Sequence, residues 1–169
     1  MNSADQYSTL EKPRLEFALE VRLRFESAQH LHNLPSGISR SGVFVEEGSF
    51  EGPNLRGRAL PNTGGDYAAH WPDRTLSLDA RYLLQEEDGT LILLQNRGFI
   101  WGRQEDTLQR LYDFAFSSGP AVPQQEYYFR TAPTFEVPAG RHDWLNRHVF
   151  IGIGERLKDG NRIRYYAVM

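Results

Sequence analysis

From Leu15 to Phe25 the chain alternates strictly. Leu15, Phe17, Leu19, Val21, Leu23 and Phe25 are apolar, and Glu16, Glu20, Arg22 and Arg24 stand between them. A period of two is the signature of a β-strand with one buried face. Such a strand cannot bury that face alone, so the rest of the chain must supply a sheet that meets it. The same habit recurs downstream. Gly42 to Phe50 reads as a second strand, and short extended pieces such as Leu55–Leu60 and Tyr67–Trp71 are punctuated by Gly and Pro. Thr75–Glu86 and Leu91–Trp101 flank Glu87-Asp88-Gly89-Thr90, where Asp88-Gly89 is a strong hairpin turn, so these two are antiparallel neighbours.

In the last third, Glu126–Val137 and Trp144–Glu155 read as strands around a Pro-Ala-Gly turn, and Arg162–Val168 closes the chain. The loop-like segment Ala28–Gly37 carries His30 and His32. One segment breaks the pattern: in Glu105–Phe116, Leu108, Leu111, Tyr112 and Ala115 recur at helical spacing, and Gly119-Pro120 ends the run. The expectation is an all-β antiparallel barrel of about eight to ten strands with one short helix plugging an end. A two-sheet sandwich is the alternative. Residues 1–12 read as a flexible tail and residues 13–169 as a single barrel domain.

Composition removes several classes of function. A net charge of −3 with no run of basic residues argues against a nucleic-acid partner. With no cysteine, a disulfide framework, thiolate catalysis and cysteine zinc sites are all excluded. The polar start, MNSADQYSTLEKP, is no signal peptide, and apolar runs such as Leu91–Leu94 are far too short for a membrane span. A cytoplasmic protein is expected.

The chemistry-bearing motifs are sparse. His30-x-His32 lacks the following glutamate that a cupin-type metal site needs. There is no G-x-S-x-G elbow, and Gly152-Ile153-Gly154 lies in an apolar strand with no helix after it, so it marks a bend or close packing. Neither a metal nor a cofactor is expected. What remains is polar residues on strands. Asp79 and Arg81 alternate with Leu78, Ala80 and Tyr82; Asn96 and Arg97 precede Gly98, a glycine that leaves room for a ligand; Arg130 and Glu136 flank Thr131-Ala132-Pro133; Asn146 adjoins Arg147. In a small barrel, inward polar residues line a ligand cavity. If they point outward, Asp79, Arg81, Arg97, Arg130 and Glu136 are surface ion pairs worth about 0–1 kcal/mol each.

These segments resemble, in order, the motifs of the family known as domain of unknown function 3237, or UPF0311. They are Gly48-Ser49-Phe50-Glu51-Gly52-Pro53 with Leu55-x-Gly57, Gly65-Asp66-Tyr67, Leu78-Asp79-Ala80-Arg81-Tyr82, and Asn96-Arg97-Gly98. Tyr127-Tyr128-Phe129-Arg130-Thr131-x-Pro133-x-Phe135-Glu136 and Trp144-Leu145-Asn146-Arg147 with Gly152-x-Gly154-Glu155-Arg156 complete the set. Tyr67 stands where the family has Trp, and Gln104–Ser118 is longer and more helical than the family pattern, suiting a lid or an oligomer contact. The resemblance implies a compact β-barrel with an internal cavity and supplies no catalytic residues. It favours the pocket reading, because the polar candidates all fall in motif segments.

On that footing the expected function is acid–base chemistry, of isomerase, cyclase or lyase type, on a small apolar or aromatic molecule. Asp66 or Asp79 would transfer the proton, and Arg81 with Tyr128 would stabilise an oxyanion. Asn96, Arg97, Arg130, Glu136, Trp144 and Asn146 would hold the ligand. The alternatives are a lipocalin-like carrier barrel and a scaffold module with a filled lumen. A homodimer or higher homo-oligomer is expected, with no nucleic-acid or membrane partner.

Overall fold

Nine antiparallel strands close on one another in the structure, a computed structural model that describes residues 11–169. They are β1 (Leu15–Leu31), β2 (Ser39–Glu51), β3 (Arg56–Ala59), β4 (Gly65–His70), β5 (Thr75–Glu86), β6 (Leu91–Gly102), β7 (Tyr127–Glu136), β8 (Val149–Leu157) and β9 (Gly160–Val168). The first ten residues of the expected tail lie outside the described residues.

Strand β1 pairs with β9 on one side and β2 on the other, so the sheet closes into a barrel and the sandwich alternative falls. Two short strands share one stave. Strand β3 bridges Gly48–Glu51 of β2 to Leu84–Glu86 of β5, and β4 bridges Ser39–Phe44 of β2 to Leu76–Arg81 of β5. The β5–β6 hairpin forms as expected: Gln85 faces Leu91, and Gly89 takes the positive φ of 92° that the turn requires. The loosest seam is β7–β8, where only Arg130–Ile153 and Thr131–Gly152 pair.

Period two decides which face is buried. Leu19, Leu84, Ile92, Leu94, Phe129 and Tyr165 point inward and exclude solvent completely, each contributing about 1.5–3 kcal/mol through burial. The two glycines of β8 follow from this crowding. A Cβ on Gly154 would lie 2.5 Å from the Phe129 ring, and one on Gly152 2.1 Å from Thr131 Oγ1.

Strand β1 does not stop at Phe25. It continues to Leu31 through two register shifts against β2, one between Arg24 and Phe25 and one between Phe25 and Ala28. These bulges break the alternation, which is why the segment carrying His30 reads as loop in the sequence. The expected strand beginning at Trp144 is corrected in the other direction. Asp143–Arg147 forms a short 3-10 turn, and β8 begins only at Val149.

The helix, α1 (Thr107–Phe116), begins two residues later than its periodicity suggested. Leu111 and Ala115 are buried, and Leu108 and Phe116 pack on the barrel core. The backbone of Asp159 donates to the Ala115 carbonyl at 3.1 Å, tying the helix to the β8–β9 turn. Among the described residues no helix is long and apolar enough to cross a membrane.

Candidate functional site

Between α1 and the ends of β1, β2, β4 and β5 lies a cavity of about 440 Å³. Its wall is mostly apolar, with Phe25, Leu76, Leu78, Ile100, Leu111 and Phe116 contributing. Among its polar groups are two from β4, whose inward face reads Asp66, Ala68, His70. A strand rises about 3.3 Å per residue, so Asp66 and His70 stand roughly 13 Å apart along this wall.

Asp66 is half-buried and accepts a hydrogen bond from the backbone N–H of Asp79 at 2.8 Å. Burial raises its carboxyl to about 6, against the lowering effects of that hydrogen bond and of the Arg156 charge. Arg156, the last inward residue of β8, also lines the cavity. Its Nη1 donates to Asn161 Oδ1 at 2.8 Å, and its buried Nε has no partner. Burial pulls the guanidinium below its ordinary value, and Asp66 opposes the shift. A carboxyl that titrates near neutrality thus faces a desolvated cation across an apolar chamber. Behind Asp66 a smaller void of about 20 Å³, lined by Tyr82, Asn96 and Asn161, has room for a single water. Burial pushes the Tyr82 and Tyr165 phenols up, so both remain neutral.

Three histidines sit at the other end. The His30 and His32 rings stack at 5.7 Å, and His30 lies 6.3 Å from His70. Tyr112 of α1 meets His30 Nε2 at 3.2 Å through its hydroxyl, and Ser41 Oγ meets His70 Nε2 at 3.0 Å. Burial, then the neighbouring His30, His32 and Arg156 charges, lowers the His70 pKa, so at neutral pH this ring is uncharged. The arrangement offers an acid–base group and a cation in the interior, with His70, Ser41 and Tyr112 as hydrogen-bonding groups at the other end.

Of the residues singled out in the sequence, Asp66 lines this cavity and Asn96 the small void behind it. The others lie elsewhere. Because Ala80, Tyr82 and Asn96 take the inward positions of β5 and β6, Asp79, Arg81 and Arg97 are turned outward. There Arg97 Nε lies 3.3 Å and Arg81 Nε 3.9 Å from Asp79 Oδ1. Both guanidiniums are about 60% exposed, at 61% and 60%. Tyr128, Arg130 and Glu136 share the outer face of β7: the Arg130 guanidinium covers the Tyr128 ring at 5.3 Å, and that ring stacks on Trp101 at 5.2 Å. Trp144 packs beside Phe150, and Asn146 bridges the Val137 backbone, accepting from its N–H and donating to its carbonyl, each at 2.9 Å. Gly98 leaves no room for a ligand either. A Cβ there would sit 2.2 Å from the Arg130 carbonyl oxygen, so the glycine serves the close approach of β7.

The sequence reading missed His30, His70, Tyr112 and Arg156. A usable signal existed for two of them. Counting by twos from Asp66 reaches His70, and counting by twos from Phe150 reaches Arg156. Comparison with known proteins agrees with this architecture. A UPF0311 protein of Rhodopseudomonas palustris is 33% identical over 159 residues, covering 93% of this chain and 99% of its own length. One from Clostridium acetobutylicum is 33% identical over 129 residues, 76% of this chain and 77% of the relative. Among solved structures, a "beta-barrel like protein" of Acinetobacter baumannii superposes with a TM-score of 0.79 at 27% identity, over 96% of this chain and 99% of that one. A protein of Penicillium herquei described as an enzyme shares the fold, with a TM-score of 0.69 at 22% identity over 96% and 98% of the two chains. The family described as "Protein of unknown function (DUF3237)" matches residues 13–168, and the chain belongs to it.

Proposed function

We propose that the protein is an enzyme that moves a proton on a small apolar or aromatic molecule held in the cavity between α1 and β4. The observation that carries this reading is Asp66: a carboxyl raised to about 6 on the wall of an apolar chamber, facing the buried Arg156. A group that titrates close to the working pH is best placed to accept and return a proton. Removing a proton next to a carbonyl or phenol leaves charge on oxygen, and the Arg156 guanidinium with its free Nε would stabilise that charge where water is scarce. The backbone N–H of Asp79 holds Asp66 in place. The volume lies within the range of small-molecule sites, about 300–1,000 Å³. His70 and Ser41 would bind the polar end of the substrate near the mouth, and Tyr112 couples that end to α1. That a protein of this fold is described as an enzyme is consistent with the reading.

The mostly apolar wall also suits a carrier that binds such a molecule and leaves it unchanged. One experiment separates the two. A panel of cyclic ketones and phenols is incubated with the protein in D₂O, and NMR reads both the loss of C–H signal and any rearranged product. The wild type should catalyse exchange or isomerisation of at least one compound that it binds. Asp66→Asn should lower the rate about 10²–10⁴-fold, while Asp79→Asn, whose side chain lies outside the barrel, keeps it. Full activity in Asp66→Asn removes the proposed chemistry, and compounds that bind but return unaltered establish the carrier.

A further inference from the structure

The barrel's opposite end holds a second cluster of ligating groups. Strand β5 ends its inward face on Glu86, eight residues beyond Leu78 of the cavity wall, or roughly 26 Å along the strand. Glu86 is only 5% exposed. Asp88 stands two residues on, in the β5–β6 turn, and the connection from β7 to β8 brings in His142, which is 2% exposed. One ligand atom from each of the three lies within 4.8 Å of the others, and His142 Nε2 is 3.8 Å from Glu86 Oε1.

Two facts point to a ligand here. Both ring nitrogens of His142 are buried without a hydrogen-bond partner, an arrangement that costs about 1–3 kcal/mol per group unless something binds it. The carboxylate oxygens are also sorted. Glu86 Oε2 accepts from the Asp88 backbone N–H at 2.7 Å and Asp88 Oδ1 from the Thr90 N–H at 2.8 Å, which fixes both side chains with Glu86 Oε1 toward His142. A recess of about 360 Å³ opens beside Asp88 and His142, giving an ion access and room for bound water.

We propose that Glu86, Asp88 and His142 form a site for a borderline first-row divalent cation, zinc foremost. One imidazole with two carboxylates suits zinc better than calcium, magnesium or manganese, which prefer oxygen-rich shells. Bonds of about 2.0–2.2 Å set neighbouring tetrahedral ligands roughly 3.4 Å apart, so an ion would draw Glu86 and His142 in by a few tenths of an ångström. It would clip the β5–β6 turn to the β7–β8 connection, beside the barrel's most weakly paired seam. The site stands apart from Asp66 and its role is structural.

The test uses the full chain, stripped with a chelator and titrated with zinc by calorimetry and thermal unfolding. The expected result is one zinc per chain and a rise in Tm of about 5–10 °C at ~100-fold excess over Kd. Asp88→Asn, an exposed turn substitution that keeps the fold, should weaken binding at least about 10-fold, and His142→Ala should abolish it. Manganese binding followed by electron paramagnetic resonance reads the same site without reference to stability. The proposal is overturned if zinc neither binds nor stabilises the wild type, leaving Glu86 and His142 as a buried structural contact. It is equally overturned if binding survives in Asp88→Asn and His142→Ala but is lost in His30→Ala.

Discussion

Asp66→Asn should make the protein more stable, and more so as the pH rises. The carboxyl sits near 6 in the folded chain against 3.8 when free. A raised carboxyl stabilises the fold while both states are protonated, below pH 3.8, and that contribution is lost as pH rises through about 6. At ~1.36 kcal/mol per pK unit the full loss is about 3 kcal/mol, trimmed to roughly 2–3 by water reaching Asp66 from the cavity. Asparagine mimics the protonated acid and never ionises. The variant should therefore exceed the wild type by about 1 kcal/mol at about pH 4.5 and by about 2–3 kcal/mol at about pH 7.5. For a chain of this size that is a Tm gain of about 2–4 °C at the lower pH and about 5–10 °C at the higher. Urea unfolding at both pH values measures the gap directly. An equal gap at both, or a less stable variant at the higher pH, would refute the claim that burial outweighs the Asp79 N–H and the Arg156 charge at this carboxylate.

Three other substitutions probe the frame around the site. Gly154→Ala pushes a methyl group into the Phe129 ring and should cost about 1–3 kcal/mol or more in chemical denaturation, with a wild-type midpoint arguing that the ring yields freely. Arg97→Ala removes an exposed cross-strand pair with Asp79 and should change stability by less than about 1 kcal/mol; a larger loss would show the outer cluster to be structural. Asn146→Ala forfeits both bridges to the Val137 backbone. It should cost about 1–2 kcal/mol, seen as faster amide exchange at Val137, and unchanged exchange there would deny the bridge its role.

The barrel was legible in the sequence because a strand's side-chain period is short and local. Leu19–Phe25 and the Asp88-Gly89 hairpin each state their structure within a dozen residues, and together they favour an antiparallel sheet, closed as a barrel or packed as a sandwich. The same period also placed Asp79, Arg81, Arg97, Arg130 and Tyr128 on the face opposite Ala80, Tyr82, Asn96 and Phe129. Reading them as pocket residues set polarity above that alternation, and the apolar face took the core. The site itself was mostly beyond the sequence. His30 reaches the cavity because bulges against β2 shift the register of β1, and no residue in Phe25–His30 announces a bulge. Arg156 faces Asp66, and His142 meets Glu86, only because closure of the ring turns segments far apart in the chain toward one interior. Local pattern decides which way a side chain faces; ring closure, a sum of long-range pairings, decides what it faces.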